Sequence, residues 1–269
     1  MKFIKYHAIG NDYLVYDDVA PFNLNPSEIS KICHRNTGIG SDGILVYRQE
    51  EYGVFRLQIF NPDGSEAEKS GNGIRIFSRF LWDKSMVHGE SFRIITAGGE
   101  VISRILEQGN TVEVSMGQAL FLPNGKLEKT KLNIKNESFY ANLISMGNPH
   151  CVIFQEQVDQ SFTKEYGSLI ERNKLFDNGT NVQFVQILDE DNIRIEIWER
   201  GAGYTLSSGS SSCAAAVASF ANGFCNNNVT VHMQGGCLNI SIDSDYKVKM
   251  TGPVKIIGII DLDKLFLTN

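Results

Sequence analysis

The sequence predicts an α+β fold built from two pseudo-symmetric halves, each a mostly antiparallel sheet or barrel around a central helix. Three observations predict it. Segments of the chain echo one another at an offset of 137 to 139 residues, short runs alternate apolar and polar residues with period two, and each half carries one Gly-rich segment that turns from polar to apolar.

The echoes come first because they set the organisation. Ile9-Gly10-Asn11 returns as Met146-Gly147-Asn148, and Gly40-Ser41-Asp42 as Gly179-Thr180-Asn181. Ile59-Phe60 returns as Ile197-Trp198, Ser70-Gly71 as Ser208-Gly209, and Gly98-Gly99 as Gly235-Gly236. Each match is weak alone, but a common order and a nearly common offset are hard to obtain by chance. The period is far too long for a solenoid and fits a duplicated domain. The predicted halves are residues 1–117 and 118–253, with 254–269 returning to the first. The joint is placed after Met116-Gly117, where Gln118 to Gly125 reads as a crossing segment.

Period-two runs predict strands at Val54 to Phe60, Phe92 to Ile95, Val112 to Met116, Ile193 to Trp198, Val229 to Met233 and Lys247 to Met250. Gly, Asn and Asp between them read as turns. Asn25-Pro26-Ser27-Glu28 predicts an outer helix running to about Asn36, capped by Asn25 with Pro26 in its first turn. Ser70 to Trp82 and Ser208 to Phe220 predict the two central helices. The second is almost wholly small or apolar, as a buried helix must be.

Bulk composition narrows the function classes. The 269-residue chain carries a net charge of −6, and its Lys and Arg are scattered, which argues against a nucleic-acid footprint. No apolar run approaches the roughly 20 residues of a membrane span. The first residues lack the apolar core and cleavage site of a signal peptide. These features predict a cytoplasmic protein with neither a membrane nor a nucleic-acid partner. Cys33, Cys151, Cys213, Cys225 and Cys237 form no CxxC pair and are expected to stay reduced. Neither His34 beside Cys33 nor His150 beside Cys151 shows zinc-ligand spacing, so no metal is expected. The chain lacks GxxxxGK[ST], and it lacks GxGxxG after a strand, which disfavours a nucleotide.

Two helix starts remain as the candidate chemistry. A helix N-terminus offers unpaired N–H groups and partial positive charge, and so welcomes a carboxylate. If the two starts face one another across the domain interface, they share one carboxylate and set Ser70 and Ser208 on opposite sides of one substrate atom. That geometry removes a proton from one face of a carbon and returns one to the other. Ser is also a favoured N-cap, worth about 1 kcal/mol, and capping alone accounts for a serine at each start.

The stretches HAIGNDYLV (7–15), GIGSDGILV (38–46), FNPDGSEAEKSGNGIR (60–75), TAGG (96–99), SMGNPHCV (145–152), GTNVQFVQ (179–186), ERGAG (199–203) and QGGCL (234–238) carry a resemblance to the diaminopimelate epimerases over nearly the whole chain. The resemblance implies their fold and a cofactor-independent inversion of one α-carbon of diaminopimelate, a step toward lysine and cell-wall precursors, by one acid and one base. It implies that Asn11, Asn61, Asn148, Asn181 and Arg200 hold the distal carboxylate and amine. The N–H groups of Gly71, Asn72, Gly209 and Ser210 would hold the carboxylate at the reacting carbon. His150 and Glu199 would stand beside the acid and base and set their protonation, Glu199 also touching substrate. The family precedent implies a homodimer.

The chain departs from the family where it matters most. The family places its two catalytic cysteines at the positions of Ser70 and Ser208. A thiolate exists at neutral pH, whereas a serine alkoxide needs a strong neighbouring base. The family also usually has Glu at Tyr204, Gly at Ser211 and commonly Cys at Ile76, which marks a diverged relative. Three explanations follow: an epimerase whose cysteines were replaced, a paralogue acting on another amino acid as racemase or dehydratase, or a non-catalytic amino-acid-binding protein.

Overall fold

The structure is a computed structural model and describes residues 1–267. The chain divides into two compact units. One comprises Met1–Val114 and the segment that begins at Gly252; the other is Ser115–Thr251.

The first unit runs β1 (Lys2–Ala8), β2 (Asn11–Tyr16), α1 (Pro26–Cys33), β3 (Ile44–Glu51), β4 (Val54–Phe60), β5 (Glu66–Ala67), α2 (Gly71–Asp83), β6 (Phe92–Thr96) and β7 (Gly99–Leu106), and β8 (Thr111–Gln118) carries the chain onward. The second runs β9 (Leu120–Phe121), β10 (Lys129–Ile134), β11 (Glu137–Ser145), β12 (Pro149–Phe154), α3 (Gln160–Glu171), β13 (Asn181–Asp189), β14 (Asn192–Glu199), β15 (Gly203–Thr205), α4 (Gly209–Ala221), β16 (Asn228–Met233), β17 (Gly236–Ile242) and β18 (Lys247–Pro253). A last strand, β19 (Lys255–Asp261), lies antiparallel to β1 with Phe3 opposite Ile260.

The pairings repeat from unit to unit. β2 runs parallel to β3, and β12 to β13. β3 and β4 form a hairpin with a register shift between Gln49 and Glu51, and β13 and β14 form one shifted between Ile187 and Asp189. β4 runs parallel to β6, and β14 to β16. The duplication read from weak echoes is thus present as the same ladder twice, mostly antiparallel with parallel joints where a helix intervenes.

The outer helix α1 has the reciprocal cap its sequence predicts. Asn25 accepts from the Glu28 N–H at 3.1 Å and the Glu28 carboxylate accepts from the Asn25 N–H at 2.8 Å. It buries Ile29 and Ile32 against Phe3, Leu14 and Ile44, each worth about 1.5–3 kcal/mol. It ends at Cys33, three residues short of the expected Asn36, because His34 turns extended. Its counterpart α3 was not expected from periodicity. Asp159 caps α3 by accepting from the Phe162 N–H at 2.9 Å, and Thr163, Gly167 and Ile170 face inward. Its apolar positions are too few to stand out, yet α1 shifted by the repeat offset lands on it.

The central helices are buried along most of their length. α2 packs Phe77 and Phe80 against Tyr47, and Phe77 also meets Phe55 edge-on. α4 is buried from Ser211 to Ser219. Its run of alanines lets surrounding strands approach closely where bulkier residues would hold them off. Among the described residues, no helix is long and apolar enough to cross a membrane.

Candidate active site

The heads of α2 and α4 occupy equivalent places in their units, yet their serines are held differently. Ser70 is a working N-cap: its Oγ accepts from the Gly73 N–H at 3.0 Å. The Tyr13 hydroxyl donates to the same oxygen at 3.3 Å. Tyr13 can stand there because Gly43, at φ +153, carries no Cβ; one would lie 2.8 Å from its ring. Gly71 and Asn72 follow as the open donors of the first turn. Asn72 is buried, and its Oδ1 has no partner.

Ser208 occupies the N-cap of α4 but makes no side-chain cap. It is 4% exposed, and its hydroxyl lies close enough to the Glu199 carboxylate to act on that group's proton affinity. Glu199 is half-buried as a residue, with its carboxyl group set deep. Burial pushes that carboxyl above the usual carboxylate range, and the nearby Ser208 hydroxyl pulls partly the other way. Gly209 and Ser210 follow as first-turn donors. The N-cap explanation therefore describes Ser70 and fails for Ser208.

The other predicted residues separate by unit. In the first, the Asn11 amide donates to Asp42 at 2.7 Å, and Asp42 is bound in turn by Arg35 at 2.6 Å. Asn61 donates to Ser65 Oγ at 3.0 Å, inside its own turn. In the second, the Asn181 Oδ1 accepts from the Arg200 main-chain N–H at 3.0 Å, and its amide donates to the Pro149 carbonyl at 2.9 Å. This ties the ERGAG turn to the start of β12 and leaves the exposed Arg200 guanidinium free to reach outward. Asn148 Oδ1 lies 2.9 Å from His150 Nε2.

His150 is fully buried, and burial pushes its imidazole down to about 3, helped by the nearby Arg200 charge and opposed by Gln183. It is a neutral ring at any working pH. An unfolded histidine protonates near pH 6.5, while the folded one refuses the proton until about pH 3. Its contribution to stability is complete above pH 6.5 and is lost as pH falls from there toward 3. Glu199 acts in the opposite sense, its contribution being lost as pH rises through its raised value. In urea unfolding, His150→Gln should lose about 2 kcal/mol less than the unmodified protein between pH 7 and pH 5. Equal losses would show that His150 does not titrate this way.

Tyr204 and Ser211 are both built into hydrogen bonds. The Tyr204 hydroxyl donates to the buried Glu196 at 2.6 Å, and the Gln183 amide donates to Ser211 Oγ at 3.0 Å. Ile76 is wholly buried in α2.

Comparison with known proteins decides the family. The model of the family described as "Diaminopimelate epimerase" matches residues 3–122 and 142–257. The chain belongs to the diaminopimelate epimerase family. A Nostoc sp. protein named "Diaminopimelate epimerase 2" is 48% identical over 264 residues, covering 94% of this chain and 93% of that one. "Diaminopimelate epimerase" of Moorella thermoacetica is 37% identical over 94% and 96% of the two chains. Among solved structures, a hydroxyproline epimerase from Agrobacterium vitis superposes with a TM-score of 0.73 at 13% identity, covering 99% of this chain and 94% of that one. A Bacillus anthracis protein of the PhzF family gives a TM-score of 0.70 at 14% identity, over 98% and 99%. Those two likenesses carry the fold alone.

Sequence reading missed Tyr13 and Gln183. Tyr13 lies in the HAIGNDYLV stretch and Gln183 in GTNVQFVQ, so the family match marked the stretches without singling out these side chains. Their partners, Ser70 and Ser211, lie 57 and 28 residues away and only the fold brings them near.

Proposed function

We propose that this chain is a cofactor-independent isomerase that moves the α-proton of an amino acid, with diaminopimelate as substrate, and that it works slowly because serine hydroxyls stand where the family uses thiols. The observation that carries this reading is the Ser208–Glu199 pair: a buried hydroxyl that makes no cap, beside a carboxyl of raised proton affinity. Glu199 accepts the Ser208 proton as that oxygen takes the proton from the substrate carbon. Ser70, held by Tyr13 and the Gly73 N–H, supplies the proton on the opposite face. The first-turn N–H groups of Gly71, Asn72, Gly209 and Ser210 bind the carboxylate at the reacting carbon and stabilise the charge that grows there. Asn11, Asn61, Asn148, Asn181 and Arg200 bind the distal amino-acid end.

The test is deuterium incorporation from D₂O into LL- and meso-diaminopimelate and a panel of amino acids, with mass and stereochemistry read together. Exchange with inversion of diaminopimelate supports the proposal. Exchange confined to another amino acid overturns the substrate, and ligand binding without exchange overturns the activity.

One observation favours a second reading. Among the described residues only Ser208 has a carboxylate beside it, since Tyr13 and the Gly73 N–H both donate to Ser70 Oγ. A one-sided site exchanges the α-proton faster than it inverts the carbon, and with a β-leaving group it eliminates. Deuterium entry outrunning inversion is its signature.

Arg200→Ala should raise KM for a dicarboxylic amino acid about tenfold or more, the worth of a charge-assisted bidentate contact, with little effect on a monocarboxylic one. Equal losses would remove Arg200 from the distal pocket.

A further inference from the structure

Outside the proposed site, one cluster has the order of donors and acceptors that activates a nucleophile. His232 on β16 and Cys237 on β17 are direct cross-strand partners. The Cys237 Sγ lies 3.2 Å from His232 Nδ1. On the other side of the ring, Nε2 lies 2.9 Å from the Asn192 Oδ1, reaching from β14 beside β16. The Asn192 amide nitrogen donates to both carboxylate oxygens of Asp189, at 2.8 and 3.1 Å.

This chain of contacts fixes the proton positions. Asp189 accepts only, so Asn192 presents its nitrogen to Asp189 and its oxygen to His232. The Nε2 must then carry the ring proton, which leaves Nδ1 as the acceptor facing the thiol. A thiol next to an oriented neutral imidazole can hand over its proton and become a thiolate. Cys237 is exposed, whereas Cys33, Cys151, Cys213 and Cys225 are buried. An open strand face suits an electrophile that needs in-line access to sulfur and no oxyanion donors.

We propose that Cys237 is a nucleophilic thiol, primed by His232 and Asn192, and a site of covalent modification by small disulfides. The S–H proton passes to His232 Nδ1, and the thiolate attacks one sulfur of the disulfide. A new S–S bond forms to Cys237 as the old one breaks. The departing thiolate takes a proton from the imidazolium, so Cys237 is oxidised to a mixed disulfide and half of the reagent is reduced to a thiol.

The test uses the full-length protein and dipyridyl disulfide, a neutral reagent whose released thione is read by absorbance. One equivalent per native chain is expected to react about five- to tenfold faster than glutathione in the same buffer at pH 7, since the His232 ring is in place to take the thiol proton as sulfur attacks. Mass spectrometry of the fragments should place the adduct on Cys237. Cys237→Ser should abolish that phase. His232→Gln should slow it to the glutathione rate, and Asn192→Ala should slow it in the same direction with His232 still in place. Circular dichroism of each variant confirms that it is folded. A fast phase that survives Cys237→Ser, or unmodified protein no faster than glutathione, overturns the proposal. A folded His232→Gln that reacts at the unmodified rate overturns it too.

Discussion

Replacing Ser70 and Ser208 together with cysteine is expected to raise α-proton exchange on diaminopimelate by at least about a thousandfold. A thiol of ordinary pKa, about 8.5, is a few per cent thiolate at pH 7. A hydroxyl near the pKa of water, about 15.7, is roughly seven orders of magnitude less ionised. The greater basicity of an alkoxide recovers part of that gap, and Glu199 recovers more at Ser208 alone. Both positions head a helix, where partial positive charge further favours a thiolate. Cys differs from Ser by one atom, so the exchange leaves the rest of each side chain and the helix backbone unchanged in kind. The measurement is deuterium entry and inversion by the double variant and the unmodified protein under one set of conditions. No gain in the folded double variant would mean that the rest of the site no longer supports proton transfer from diaminopimelate. A gain confined to another amino acid would reassign the substrate while keeping the chemistry.

Glu199→Gln is expected to cost about a hundredfold to a thousandfold in exchange by the serine protein, the usual worth of a positioned base. The amide fills the same space beside Ser208, but it cannot take the proton. Stability should hold or rise, because a carboxyl whose charged form is penalised by burial is replaced by a neutral group. That split distinguishes a base from a structural residue: activity falls while the unfolding midpoint does not. In the double cysteine variant the same change should cost less, since a thiolate forms without Glu199. Equal activity of Glu199→Gln and the unmodified serine protein would remove Glu199 from the reaction.

Much of the fold was legible because duplication writes the same signal twice. Ser70-Gly71 and Ser208-Gly209 each opened a helix where the polar run turned apolar, and period two marked β4, β6, β14 and β16 to within a residue or two. α3 escaped because three inward positions in twelve residues make a faint periodicity. The predicted site residues were legible as a list but not as an arrangement. Ser70 and Ser208 have the same local sequence logic, and nothing in either stretch says that one caps its helix and the other does not. Distant residues also surround the two serines differently: Tyr13 reaches Ser70 past Gly43, and Glu199 stands beside Ser208. Tyr204 and Ser211 read as departures from the family. In the fold, each is half of a hydrogen bond to Glu196 or Gln183.

The pairing of β19 with β1 has a consequence for how the protein is born. β1 pairs with β2 along one edge, but along the other its partner is the distant β19, with Lys2 opposite Asp261 and the Met1 amino group bonded to the Leu262 carbonyl at 2.8 Å. At ribosomal speeds of about 5–20 residues per second, that partner arrives roughly ten to fifty seconds later. Throughout that interval the outer edge of β1 presents unpaired N–H and C=O groups. The unit from Ser115 to Thr251 is continuous in sequence and is fully synthesised before β19. The unit that holds β1 is closed only once β19 is made, and until then its open edge exposes a nascent chain to mispairing or to a chaperone.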